Sequence, residues 1–534
     1  MLRLAWFLYR VAGAIQEGAG VIKTCPLSQS ETGISRRKLL HSAFLAISIE
    51  TATRFPEKSD LRASKIAEST GLLISDGRLV TAEKQWDADI RVGGGKVLEI
   101  AQNLRPRAGE RVIDAAGLQV LPGGIDPHAH LLPSWVDDYF SGSQAALAGG
   151  ITTIGCMASM QRGESIRDAI SRQARLVREQ ALADIFLHPI LSAPGTEITS
   201  QLPGLRQEGH GDIKIFMTGR AFVENEAAWT DLIREAGRAG LLTMLHCEDA
   251  DGLAEAAKAL AADGRTSLRF YAESRPVRSE VKAVERAAEI CERSGAPVYI
   301  VHLSSQAALG VCRKAKGRGL PLFVETRPIY LYFTKERYLE PEGPLYVGQP
   351  PLRDSTDIGA LWQGITDGSI DTLGTDHAPW TREQKMDPAL NISRLRPGVA
   401  DLQTMMPVFY SEGVVKRNIP LGRFVALTST NAAMLFGLYP QKGTIAVGSD
   451  ADLALWDPRG KRKLERTDNL SRAGFSLHDG WEITGLPRIT IRRGEVVFEN
   501  GKVTATPGSG RIAATGRTQR IWSPKARQLV PGGA

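Results

Sequence analysis

The pattern of apolar and polar positions changes character twice along the chain. From Gly71 it runs in short alternating stretches interrupted by glycine. Leu72-Leu73-Ile74-Ser75-Asp76-Gly77-Arg78-Leu79-Val80-Thr81 and Asp89-Ile90-Arg91-Val92-Gly93-Gly94-Gly95-Lys96-Val97-Leu98-Glu99-Ile100 each read as strand, turn, strand. The same alternation returns at 451–456 and 496–503, so the two ends are expected to build one small β unit. Between them, strand-length apolar runs recur near residues 118–121, 151–156, 185–191, 212–217, 241–246, 297–302, 320–324 and 370–374, most of them followed by helical periodicity. In one such follower, the apolar members of Glu280, Val281, Ala283, Val284, Ala287, Ala288 and Ile290 fall on one helix face. This rhythm predicts an α/β chain with a (β/α)8 TIM-like barrel at 121–439, and a small β-sandwich formed by the N- and C-terminal segments 66–120 and 440–505. A doubly wound open sheet shares the periodicity, and the placement of polar residues decides between the two.

Composition narrows the picture only at the ends. With 43% hydrophobic and 23% charged residues the bulk is neither fibrous nor disordered. The net charge of +7 resides in the tails: residues 1–65 and 503–534 carry +5 each, which leaves −3 on the body. A slightly acidic body lacks the electrostatic footprint of a phosphate-backbone binder, so no nucleic-acid partner is expected. Five scattered cysteines form no disulfide framework and fit a reducing, cytoplasmic setting. No run is long and apolar enough for a membrane helix. Residues 1–65 read as a basic leader, disordered or reflecting an overextended start. Ser35-Arg36-Arg37-Lys38-Leu39-Leu40 and the short apolar stretch after it resemble a twin-arginine export signal, which makes export the alternative location. Residues 506–534, rich in Gly, Arg and Thr, are expected to be a disordered basic tail.

The informative residues lie where barrel strands would end, since those ends line the active site of such a barrel. One segment reads Gly123-Gly124-Ile125-Asp126-Pro127-His128-Ala129-His130, and two imidazoles at i and i+2 on extended backbone point to one side. Others end in His246-Cys247-Glu248, in His302-Leu303-Ser304 and in Thr375-Asp376-His377. Lys214 stands between Ile213 and Ile215, and a buried unpaired ammonium there would cost several kcal/mol. Each feature alone has a plain structural reading. Four histidines, a lysine and an aspartate on successive strand ends together point to a metal site.

At these residues the sequence resembles the cyclic-amidohydrolase family, in its dihydropyrimidinase and hydantoinase branch. The matching text also includes Glu325-Thr326-Arg327-Pro328, Thr430-Asn431-Ala432-Ala433-Met434-Leu435-Phe436-Gly437-Leu438 and the run from Lys442 to Leu453, and it covers about residues 70 to 505. The resemblance implies a hydrolase that opens a small cyclic amide ring by metal-hydroxide attack, with two divalent ions, commonly Zn2+. By position, His128 and His130 would hold the first ion with Asp376, and His246 and His302 the second. Lys214, capped by CO2 as a carbamate, would bridge them. Asp376 would also move the proton from the attacking water to the leaving nitrogen. The resemblance further implies a homotetramer or homodimer.

The match also breaks. The branch carries a tyrosine five residues after the bridging lysine, as donor to the developing oxyanion; this chain has Gly219. Either Thr218 or Arg220 replaces it, or the substrate is not a hydantoin or dihydropyrimidine. Residues 395–402, which include Arg396, lack the branch's asparagine-containing loop and read more like other branches of the family. Dihydroorotase resembles the pattern but needs an arginine where Leu132 stands. Allantoinase stays open. A non-catalytic scaffold of the same fold is the alternative of another class, and its mark would be missing ligands. Thr326, Arg220 and Arg396 are the candidate substrate contacts, Glu248 and Ser304 the candidate partners of the neighbouring imidazoles, and Cys247 a packed thiol. His377 either orients the site or packs.

Overall fold

The structure, a computed structural model, describes residues 71–131 and 135–519. The leader, its paired arginines, Leu132 and the residues after Gln519 lie outside the described residues.

Two sheets organise the chain. The first, of nine strands, is built from both ends: β1 (Leu72–Val80), β2 (Gln85–Gly93), β3 (Lys96–Ala101), β4 (Arg111–Asp114) and β5 (Gln119–Pro122) from the N-terminal side. Its C-terminal members, which follow the barrel strands in the chain, are β14 (Leu453–Lys463), β15 (Glu482–Arg492), β16 (Glu495–Glu499) and β17 (Lys502–Val503). The order is β17-β16-β15-β14-β5-β1-β2-β3, with β4 pairing β1, and β5 joins the two halves by pairing β14 antiparallel. Leu72, Ile90, Val97, Val120, Leu453 and Ile491 share one core, so neither half buries its apolar face alone.

The second sheet is eight parallel strands in sequence order: β6 (Gly124–Ala129), β7 (Ile151–Ser159), β8 (Asp184–Leu191), β9 (Asp212–Phe216), β10 (Leu242–His246), β11 (Val298–Ile300), β12 (Leu322–Thr326) and β13 (Thr372–Leu373). Helices connect them, as barrel crossovers require. The ring closes between its first and last strands. His130 donates its backbone N–H to His377 O at 2.7 Å, and Asp126 accepts from both the backbone N–H and the hydroxyl of Thr375. Alternation sorts the side chains: Leu242 and Met244 join Ile125, Met157, Phe186 and Tyr299 in one cluster, while Ile213, Ile215 and Leu245 face the helices in another. Lys214 and His246 are thereby set on the interior face.

Three expectations change here. The run at 118–121 is β5 of the first sheet, and the first barrel strand begins at Gly124, so a single apolar text feeds both sheets. Asp76-Gly77 makes no hairpin turn. β1 passes straight through it with a bulge, Asp76 at φ 58° and its N–H held by Asp89 Oδ1 at 2.8 Å, whereas the hairpin at Gly94-Gly95 forms as expected. Residues 506–519 are not a loose tail but lie along the barrel. Gly510 N donates to Ala181 O, Ile185 N to Arg511 O, Ala513 N to Ile185 O and Gly516 N to Phe436 O. The glycines that read as flexibility serve close approach: a Cβ at Gly508 or Gly510 would stand 2.5 or 2.1 Å from a barrel carbonyl oxygen.

A buried ion network ties the β unit to the barrel. Lys442 Nζ meets Asp184 of β8 at 2.7 Å and also binds Asp450 and Asp452, while Arg493 of the first sheet pairs with Asp184. The three carboxylates approach one another closely enough for a metal, but the Lys442 ammonium, Arg493 on Asp184 and Lys96 on Asp450 already pair with them. Replacing Lys442 with Met would leave buried carboxylates uncompensated, with an expected loss of about 3–5 kcal/mol in denaturant unfolding. A loss under about 1 kcal/mol would show that the network carries no such burden. Among the described residues, no helix is long and apolar enough to cross a membrane.

Candidate active site

The C-terminal ends of five barrel strands carry charged or imidazole side chains into one mouth. His128 of β6 and His130 just after it flank Asp376, which follows β13. Asp376 Oδ1 is 3.0 Å from His130 Nε2 and 3.3 Å from His128 Nε2. The ring of His302, just beyond β11, lies 5.5 Å from that of His128 and 4.4 Å from that of His246 at the end of β10. Lys214 of β9 completes the group, its ammonium acting on His128, His246 and His302 alike. The six candidate ligands are thus brought together.

Their electrostatics are those of a site built to be completed. Lys214 is fully buried and its Nζ has no hydrogen-bond partner, lying over the Phe216 ring 5.0 Å from its centre. Burial pushes its ammonium down to about 8. Nδ1 of His302 is likewise buried and unpartnered, and burial holds that imidazole well below its ordinary value. Burial alone would raise the Asp376 carboxyl, but the Arg327 guanidinium and the two histidines hold it well below the usual carboxylate range. A buried polar atom without a partner costs roughly 1–3 kcal/mol, and here such atoms converge with nitrogen and oxygen donors suited to a divalent ion of the zinc type. His128, His130 and Asp376 offer ligand atoms within 4.8 Å of one another.

The neighbours fix ring orientation. Glu248 Oε2 is 2.8 Å from His246 Nε2, which leaves Nδ1 of that ring to face the site. Although burial raises Glu248, the Arg275 guanidinium and His246 hold it down to about 2. Glu325 plays the equivalent part for His128, with Oε1 2.9 Å from Nδ1. Ser304 does not attend His302; its hydroxyl donates to Glu280 and accepts from Arg353. His377 turns away from the mouth, with Nε2 2.9 Å from Asp137 and Nδ1 accepting the Asp401 N–H. Cys247 is a buried thiol against Met217.

The three expected substrate contacts fare differently from the ligand set. The Thr326 hydroxyl is fully buried and donates to Leu303 O at 2.8 Å, so it holds a neighbouring strand end. Arg220 is exposed and pairs with Glu224 one helical turn on. Arg396 lies over Trp380, 4.9 Å from its ring, and reaches His130 only through Trp380 and Trp135. Residue 219 is exposed, and a Cβ there would meet nothing within 4 Å. Two residues were missed by sequence reasoning. Glu325 and Arg327 are fully buried charges, and Arg327 Nη1 is 3.1 Å from Asp376 Oδ2. The signal was present, because the argument applied to Lys214 applies equally to opposite charges at the end of Leu322-Phe323-Val324.

The chain matches the amidohydrolase family over residues 119–486. It is 34% identical to the D-hydantoinase of Ralstonia pickettii over 450 residues, which are 83% of this chain and 98% of that protein. It is 33% identical to a D-phenylhydantoinase of Escherichia coli K12 over 449 residues, 83% of this chain and 97% of the relative. The crystal structure of dihydropyrimidinase from Brevibacillus agri superposes with a TM-score of 0.80 at 31% identity, covering 84% of this chain and all of that one. The L-hydantoinase of Arthrobacter aurescens gives 0.75 at 28% identity, covering 84% of this chain and 99% of the other. With its barrel, its converging histidines and these relatives in agreement, the chain belongs to the amidohydrolase family, on the hydantoinase and dihydropyrimidinase branch.

Proposed function

We propose that this protein hydrolyses the amide bond of a small cyclic amide, using two divalent ions, zinc the first candidate. His128, His130 and Asp376 would hold one, His246 and His302 the other, and Lys214 as its CO2 carbamate would join them. One observation carries the reading: a fully buried, unpartnered Lys214 amine within electrostatic reach of His128, His246, His302 and Asp376. As an ammonium beside two dications Lys214 would be repelled, whereas addition of CO2 to its neutral amine, with loss of a proton, would supply an anionic oxygen ligand. The ions, when bound, acidify a water toward neutral pH and polarise the ring carbonyl.

The remaining chemistry belongs to the chain. Asp376 accepts the proton of the attacking water and delivers it to the ring nitrogen as the amide bond breaks. Its carboxylate is suited to that traffic, held by His130 and Arg327 on its two oxygens. Glu248 and Glu325 keep His246 and His128 in the orientations that present one bare nitrogen each to the mouth.

Hydantoin- and dihydropyrimidine-like rings are the first candidates, with allantoin the alternative because Gly219 stands where the branch carries its oxyanion-donating tyrosine. Gly219→Tyr, at a position whose φ of −93° any residue adopts, is expected to shift kcat/KM toward hydantoins by up to about 10²-fold. An unchanged preference would mean that position 219 does not face the oxyanion. The proposal is tested by assaying ring opening of hydantoin, dihydrouracil, allantoin, dihydroorotate and lactams with zinc or manganese and bicarbonate supplied. Turnover of none of them by metal-loaded protein would reject it.

A further inference from the structure

β12 supplies none of the six candidate ligands, yet its last two residues and the next one, Glu325, Thr326 and Arg327, are all fully buried and all turned toward its neighbours. Those neighbours, β11 and β13, end in the same unusual way. His302 and Asp376 leave them at φ 40° and 48°, the left-handed region that non-glycine residues rarely adopt and that costs on the order of 1–3 kcal/mol each. Something must hold both residues there.

On the β11 side, His302 donates its backbone N–H to Glu325 Oε1 at 2.9 Å, Leu303 donates to Glu325 O at 2.8 Å, and the Thr326 hydroxyl donates to Leu303 O at 2.8 Å. On the β13 side, Gly374 N donates to Thr326 O at 3.2 Å and Arg327 Nε to Thr375 O at 3.0 Å. Nη2 of Arg327 reaches Asp376 O at 3.5 Å, and Nη1 forms a charge pair with the Asp376 carboxylate at 3.1 Å. The Glu325 oxygen that holds His302 also faces His128 Nδ1, while its other oxygen accepts the Tyr299 hydroxyl at 2.9 Å. Gly374 makes room for this carboxylate, since a Cβ there would lie 2.5 Å from Glu325 Oε2.

We propose that Glu325-Thr326-Arg327 is a positioning unit that holds His302 and Asp376 in their left-handed conformations and orients His128, so that one tripeptide without a ligand sets three of the six. The assignment of those three as ligands rests on the function proposed above; the clamp on the two strand ends does not. Glu325 and Arg327 carry opposite charges because they grip opposite partners, the donors of β6 and β11 on one side and the carbonyls and carboxylate of 375–376 on the other. Thr326 joins them through its hydroxyl and its carbonyl.

The test uses the full chain and the variants E325Q, R327M and R327K, in two arms. In metal-stripped protein, hydrogen exchange followed by segment is expected to rise across 374–378 in R327M while the rest of the barrel keeps its protection. Unchanged exchange there would overturn the clamp. In zinc-loaded protein, E325Q is expected to weaken metal retention against a chelator by about 10–100-fold, and R327M to lower kcat by a similar factor with KM within about twofold. R327K, which keeps the charge but cannot bond both carbonyls and the carboxylate, should recover part of that loss. R327M turning over like the unaltered protein, or E325Q retaining metal equally well, would contradict the positioning role. Should R327M not fold, R327K carries the same exchange comparison. If the unaltered protein binds no metal, the proposed function fails, and the exchange arm still decides on the clamp.

Discussion

Asp376→Asn is expected to abolish most hydrolysis, lowering kcat by about 10²–10⁴-fold, while the protein keeps much of its metal. The amide still presents an oxygen where the carboxylate lay 3.0 Å from His130 Nε2, and the other candidate ligands are untouched. What it cannot do is accept a proton and return it. The unaltered carboxylate is held ionised by Arg327 and the two histidines against the opposing effect of burial, which keeps it in the form that can accept. Steady-state kinetics with elemental analysis on the same sample separates the two roles. An asparagine variant with near-normal kcat would remove Asp376 from the proton path, and one that lost its metal would make Asp376 chiefly a ligand.

The second large effect is at Lys214. Lys214→Ala should reduce turnover on the order of 10³-fold or more, because acidification of the water depends on both ions being held together. Short carboxylic acids such as acetate or propionate should restore part of it by supplying the two oxygens to the space vacated. Lys214→Met, closer in volume to the native side chain in this fully buried position, separates chemistry from packing. It should fold as stably as the parent, stay inactive and resist rescue, since the thioether fills the space. Turnover in either variant matching the parent would end the carbamate assignment.

Much of this site was legible in the sequence, and the reason is physical. A residue whose burial would be costly without a special partner announces itself when it stands in an apolar strand, as Lys214 does between Ile213 and Ile215. The helix predicted around Glu280 to Ile290 forms as Val277–Ser294, with Ala283, Val284, Ala287 and Ile290 buried on the expected face. Expectations failed where one signal had two physical meanings. Glycine at 508 and 510 permits either disorder or close backbone contact, and only the barrel surface against which those residues lie distinguishes them. Asp76-Gly77 suits a bulge as well as a turn. Thr326 is expected at substrate because the resembling family often contacts substrate at that position, but its hydroxyl is committed to Leu303, a partner supplied by the neighbouring strand. Arg327 went unassigned because its meaning depends on Asp376, 49 positions further along and adjacent only once the barrel closes.

Elemental analysis of the purified full chain, supplied with zinc and bicarbonate, tests the central claim most directly. The account predicts about two ions per chain, a deficit in Lys214→Met, and loss and recovery of turnover as metal is stripped and restored. A folded, metal-free protein that still opens a cyclic amide ring would contradict it.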